Sequence, residues 1–188
     1  MALGLATGTL RFTFSYESSS PSPARAEDYL NGPGFKTFTA TDGQFTADFP
    51  TFPQRLTGTS RPGGVTVRNV EYESQPTSQD TFAVLVVTFP RPISSDGDVQ
   101  DFLNNTANSE AAAMRGVIRQ STFLQVDGHP AIDVVYRAAG SDRAHERFIV
   151  VGAVQYAVAV VGSARALSTY DRFATSFHPL QSVPDSTP

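Results

Sequence analysis

The sequence predicts an α+β domain, an antiparallel β-sheet flanked by helices. Most of the chain between Phe35 and Val161 divides into runs of strand length that either alternate or are apolar throughout. Only two stretches, one after Ile93 and one near the end, switch to helical spacing. Strands grouped before and after a long helix call for hairpin connections and an antiparallel sheet, with the helices burying one face each against it.

The first run is TLRFTFSY, in which Leu10, Phe12, Phe14 and Tyr16 share one face and Thr9, Arg11, Thr13 and Ser15 the other. A single strand is not stable alone, so this one must pair with the main sheet, with another copy or with a partner. ESSSPSPARAE follows at 17–27 and reads as a linker. The expected organisation is a strand-like segment at 1–16, a Ser/Pro-rich linker at 17–34, one α+β domain at 35–180 and a disordered tail at 181–188.

Within the domain, Phe35–Thr41 and Gln44–Phe49 form two short strands joined at Asp42–Gly43, a strong hairpin signal. Pro50 and Pro53 then stop the ladder because neither offers an N–H. Val65–Ser74 and Thr81–Pro90 follow, and the second is so continuously apolar that it reads as a central strand covered on both faces. Val99, Phe102, Leu103, Thr106, Ala113, Met114 and Val117 recur at helical spacing behind an N-cap at Asp96 or Asp98. Arg119–Val126, Ala131–Ala138, Arg143–Gly152 and Gln155–Val161 are the next strands. Ser168–Phe177 reads as a closing helix capped by Ser168, with Tyr170, Phe173 and Phe177 on one face.

Composition narrows the function. The chain has 188 residues, a formal net charge of −4 and no cysteine. The absence of cysteine excludes disulfides, thiolate metal sites and cysteine nucleophiles. Its single lysine, Lys36, and its scattered arginines make no basic patch, so neither nucleic acid nor an anionic membrane surface is the expected partner. No apolar run reaches membrane-spanning length, and the opening MALGLATG has no signal-peptide pattern, so the setting is either cytoplasmic or, behind an upstream signal or anchor, extracytoplasmic. There is no P-loop, G-x-S-x-G, G-x-G-x-x-G after a strand, or H-E-x-x-H, and no cofactor is implied.

The candidate residues are few. His129 would serve as a base or metal ligand, but Asp127 and Gly128 before it and Pro130 after it read better as a turn between strands. Asp96, Asp98 and Asp101 offer oxygen ligands for a cation, yet acidic residues at a helix start are expected as caps. Arg143, His145 and Arg147 share a strand face and would present a basic strip to an acidic partner, with a solvated sheet edge the simpler reading. His178 fits the C-terminal end of the last helix. Asp127, His129, Arg143, His145 and Arg147 are therefore the candidate partner surface, and no residue is assigned to catalysis or metal.

The ordered phrases TDGQFTADFP, VDGHPAIDVVYR, RFIVVGAVQYAVAVVG and DRFATSFHPL resemble bacterial members of the PsbP-like superfamily, of the exported DcrB and LpqN types, over about residues 35–180. The resemblance implies an α–β–α sandwich and a non-catalytic, exported domain that binds or assembles with a protein partner. Strand exchange through Thr9–Tyr16 is one route to such a partner. The alternative is a carrier of a small apolar ligand between sheet and long helix, where Ala111, Ala112, Ala113 and Met114 put small side chains. Less expected is a hydrolase-type enzyme using a histidine.

Overall fold

A computed structural model describes residues 34–42, 44–60, 66–93, 98–138 and 141–180, without the side chains of 141–143. The strand expected at Thr9–Tyr16, nearly all of the linker and the tail at 181–188 lie outside the described residues.

Among the described residues, ten strands and three helices follow in the order β1 (Lys36–Thr39), β2 (Phe45–Phe49), β3 (Gln54–Ser60), β4 (Val67–Ser74), β5 (Thr81–Thr88), α1 (Val99–Ala113), β6 (Gly116–Val126), β7 (His129–Ala138), β8 (Ser141–Val151), β9 (Val154–Val161), α2 (Ala164–Leu167), α3 (Tyr170–Thr175) and β10 (His178–Pro179). The main sheet has seven antiparallel strands in the order β3-β4-β5-β9-β8-β7-β6, and a small sheet has the order β1-β2-β10. The class is α+β, as expected.

The apolar runs of β5 and β9 take the two central places because both of their faces are covered. Phe82, Val84, Val86, Tyr156, Val158 and Val160 face the layer made by the small sheet with α2 and α3. Leu85, Val87 and Ala157 face the layer of α1, which contributes Leu103, Ala107 and Ala111. Aromatic rings fill the first layer. Phe45 stacks on Phe177 at 5.5 Å, and Phe173 meets both Phe49 and Phe82 edge-on. Each such buried ring contributes roughly 2–3 kcal/mol from removal of apolar surface.

α1 connects the middle of the sheet to its far edge. Asp98 caps it, its side chain accepting the N–H of Gln100 at 2.7 Å. The helix ends sooner than its spacing predicts. Arg115 turns left-handed at φ 52°, and Gly116 opens β6, so Val117 belongs to an exposed strand and not to the helix face. The closing helix also differs, splitting into α2 and α3. Ser163 caps α2, whereas Ser168, expected as the cap, stands at its C-terminal end. His178 lies beyond the helix in β10, opposite Thr46.

β3 escaped the sequence reading. Pro50 and Pro53 do stop β2, but the chain re-enters the sheet at Gln54 and pairs with β4 over seven successive residues. Six of those seven are exposed and none of the seven is buried, so no apolar alternation announced the strand.

Candidate functional site

Three clusters of polar side chains stand out, and the five candidate residues do not gather in any one of them. The first is the β6–β7 turn. Asp127 and Gly128 are its two central residues, with φ values of 50° and 82°, and Val126 pairs with His129 across it. Positive φ at both positions is the type I′ geometry that matches strand twist, and it suits Asp-Gly. His129 is therefore the first residue of β7, with Pro130 behind it opposite Gln125. No described side chain hydrogen-bonds to the His129 ring. Asp127 instead meets His178, its Oδ2 lying 2.9 Å from the ring Nδ1, and this pair ties the turn to β10.

The second cluster joins the middle of the sheet to α3. Arg147 on β8 donates Nε–H to Asp133 Oδ1 at 2.7 Å and an NH2 hydrogen to Oδ2 at 2.8 Å. Its NH1 donates to the carbonyl of Ala174 in α3 at 3.0 Å, and the Tyr170 hydroxyl donates to Asp133 Oδ1 at 2.7 Å. Burial lowers the Arg147 pKa, but the Asp133 hydrogen bonds together with the electrostatic pull of Tyr170, Asp133 and Asp171 outweigh it and leave the guanidinium more firmly charged. The Tyr170 phenol is pushed up by burial and by the Asp133 carboxylate. His145 lies two residues before Arg147 on β8, its ring edge-on to Tyr170 at 4.6 Å.

This geometry revises the basic strip. β8 is an interior strand between β9 and β7, so the face carrying His145 and Arg147 is roofed by α3 and is not a solvated edge. Arg147 is buried and already holds a carboxylate. The side chain of Arg143 is outside the described residues. Of the five, Asp127 and His129 remain as an accessible corner.

The third cluster was not anticipated. Glu146 alternates with His145 and Arg147 and so faces the opposite layer, beneath α1, where it is 0% exposed. Glu110 descends from α1 and is 1% exposed. None of their four carboxyl oxygens has a close, well-aligned donor, and the Tyr136 hydroxyl offsets the burial of Glu146 only in part. Tyr136 on β7 lies beside them, its hydroxyl donating to the carbonyl of Ala107 in α1 at 3.3 Å. Burial raises the pKa of both carboxyls, and the charge of Glu146 raises that of Glu110 further. The signal was present in the sequence as carboxylates at buried positions of the pattern. Glu146 has the parity of Ala144 and Phe148, and Glu110 lies one turn from Ala107.

Asp98 acts as a cap, and Ser94–Gly97, with Asp96, lie outside the described residues. Among the described residues, no three carboxylate or imidazole side chains converge as a metal site would require. Among the described residues, no helix is long and apolar enough to cross a membrane.

The sequence matches no protein-family model and no curated protein. Among solved structures, it is similar to the solution structure of cyanobacterial PsbP (CyanoP) from Synechocystis sp. PCC 6803. The TM-score is 0.54 and the identity 13%, and the match covers 79% of this chain and 95% of that one. A crystal structure from Bacteroides thetaiotaomicron VPI-5482 overlaps at a TM-score of 0.40 and 8% identity, covering 82% of this chain and 52% of that chain, a likeness too remote to carry an argument. With its strand order, its two faces and the CyanoP match taken together, the chain has a PsbP-like fold.

Proposed function

We propose that the protein is a non-catalytic binding or assembly domain that takes a strand from a protein partner onto the free edge of β3. The observation that carries this reading is the state of that edge. β3 is exposed along its length, pairs with β4 without a bulge, and has no strand on its outer side among the described residues. An open, regular edge is a template for another strand, and proteins ordinarily blunt it. The opposite edge is blunted in this way, because a bulge between Ile118 and Gln120 interrupts the register of β6. Phe52, 85% exposed just before β3, and the exposed Leu56 within it add apolar surface beside the free edge. The corner at Asp127 and His129 is a secondary surface for the same partner.

Thr9–Tyr16, outside the described residues, has the alternation that an added strand needs, and a second copy of the chain is one source of it. The net charge of −4 and scattered arginines speak for a protein partner over nucleic acid. The family resemblance supports an extracytoplasmic setting.

The carrier reading fits less well. The layer between α1 and the sheet is occupied by Leu103, Ala107, Ala111, Ile132, Tyr136 and Phe148, and it contains two carboxyls that an apolar ligand would leave unsatisfied. A hydrolase using His129 would need a carboxylate or hydroxyl on its ring, and no described side chain supplies one.

Hydrogen exchange on the full chain and on a chain lacking residues 1–25 tests the proposal. Protection of the outward amides of β3 in the full chain, lost on deletion together with a fall in melting temperature or oligomer size, is the expected outcome. Unchanged protection, mass and melting temperature would remove Thr9–Tyr16 as the added strand. If Thr57→Pro then also left every association of the full chain intact, the β3 edge itself would be excluded.

A further inference from the structure

The pair Glu110 and Glu146 has no part in strand addition, yet nothing else in the described residues is so costly to leave as it stands. Two carboxyls lie in the apolar layer between α1 and the sheet, essentially without solvent; none of their four oxygens has a close, well-aligned donor, and the Tyr136 hydroxyl offsets the burial of Glu146 only in part. An ionised carboxylate in such a place costs far more than a neutral acid, which needs fewer partners.

Among the described residues, the surroundings offer no countercharge. On the α1-facing side of the sheet, Glu146 has Val134 of β7 and Ala159 of β9 as lateral neighbours and Ala144 and Phe148 along its own strand. β6 presents Ile118, Ser121 and Phe123 to this side, and β9 presents Ala157, Ala159 and Val161. Tyr136 from β7, its hydroxyl given to Ala107, and Glu71 and Glu73 of β4, opposite Leu85 and Ala83, also face this side, and none of them is a countercharge. Tyr170 feels Glu146 only from the other side of the sheet. On α1 itself Asp101 is exposed, as is Arg115 just past its end, both away from the layer.

We propose that Glu110 and Glu146 form a proton-held latch, seating α1 on the sheet while they retain their protons and releasing the helix when alkaline pH removes them. With protons on the pair, each acid can hydrogen-bond to the other across the gap between helix and strand. Without them, two negative charges face one another in a low dielectric, and the cheapest relief is to carry Glu110 into water on a displaced α1. The protons leave to solvent, so the device needs no ligand or co-reactant. Displacement uncovers Leu103, Ala107 and Ala111, so the released state presents an apolar helix face that the seated state hides.

The direction in pH follows from burial. Because folding raises both carboxyls above their ordinary range, the stability they contribute is full below that range and is lost as pH rises through neutrality into alkaline conditions.

Hydrogen exchange of the full chain across that range is the test. Protection over Val99–Ala113, corrected for the intrinsic pH dependence of exchange, should fall by up to about tenfold per pH unit for each proton released. Protection over Thr81–Thr88 should fall far less, following only the titration of Glu71 opposite Leu85. A Glu110→Gln/Glu146→Gln double variant should keep its α1 protection at alkaline pH, and the same fall in that variant would overturn the latch. Infrared spectra of the wild-type chain decide the matter should the double variant not fold. A protonated-carboxyl carbonyl band present at neutral pH and lost together with α1 protection supports the latch, and its absence at neutral pH sinks it.

Discussion

Arg147 and Asp133 face each other across neighbouring strands in a two-pronged ion pair, and the same Asp133 oxygen that takes the Arg147 Nε–H also takes the hydroxyl of Tyr170. One carboxylate thus fixes both a sheet side chain and a helix. Replacing Asp133 with Ala strands a buried guanidinium and should cost toward the lower end of about 3–5 kcal/mol, since Asp133 keeps some contact with water. Tyr170→Phe removes a hydrogen bond to a charged acceptor and should cost about 1.5–3 kcal/mol. An Asp133→Leu/Arg147→Met double variant should recover most of the loss. Urea unfolding of the four proteins gives the comparison, and a double variant no better than Asp133→Ala would contradict the account.

Gly162 should be the glycine least able to accept a side chain. It lies at φ 144°, and a Cβ there would meet Asp80 Oδ1 and the Gln79 carbonyl at 2.5 Å. Asp80 Oδ1 accepts the Ser163 N–H at 2.8 Å, so a shift of Asp80 would disturb the entry to α2 as well. Gly162→Ala is expected to cost roughly 2–4 kcal/mol from strain and overpacking together. Gly58 in β3 has nothing within 4 Å of such a Cβ, and Gly58→Ala should stabilise by about 0.5–1 kcal/mol. Thermal melts of the two variants should move in opposite directions.

The histidines of the turn corner should be nearly silent. Both partners of the His178–Asp127 pair are about half exposed, so His178→Ala should cost no more than about 1 kcal/mol. His129→Ala, with no hydrogen bond to lose, should stay within about 0.5 kcal/mol. A loss several times larger in either variant, measured by chemical denaturation, would show that the corner carries more than a turn.

Glu71 on β4 gives the fold a second pH dependence, separate from the one under α1. Burial first, and the neighbouring Glu73 second, raise its carboxyl to about 7. A raised folded-state value means that its contribution is intact below the ordinary carboxyl range near 4.5 and is lost as pH climbs through about 7. Glu71→Gln should flatten stability over that window, by at most roughly 3 kcal/mol. A melting-temperature profile for wild type and variant that stays parallel from acid to neutral pH would refute this assignment.

How far the sequence disclosed this structure depended on whether a residue's burial left a periodic trace. β5 and β9 were legible as central strands because apolar runs such as TFAVLVV and QYAVAVV need cover on both faces. The Asp127–Gly128 turn was legible because few dipeptides accept positive φ twice. β3 left no trace, since QRLTGTS is exposed and owes its place to backbone pairing with β4. The surroundings of Arg147 were misjudged because alternation tells which side of a strand a residue takes and not what lies over that side. α3 covers it, and Asp133 reaches it from the adjacent strand. Glu110 and Glu146 were visible as residues out of place on apolar faces, but their meeting depends on α1 crossing β7 and β8, a long-range fact.

The strand order also governs how the chain assembles. β3, β4 and β5 form one run of neighbours joined directly in sequence, and β6 to β9 form another. Only the seam between β5 and β9, from Thr81 opposite Val161 to Thr88 opposite Val154, joins the two. Each run can zip from its own turns on a local scale, whereas the seam must close a loop containing α1 and three strands. Folding speed should therefore be set at this one junction. During synthesis the first run must wait, with the apolar flank of β5 uncovered, until residues near the end of the domain arrive to close it.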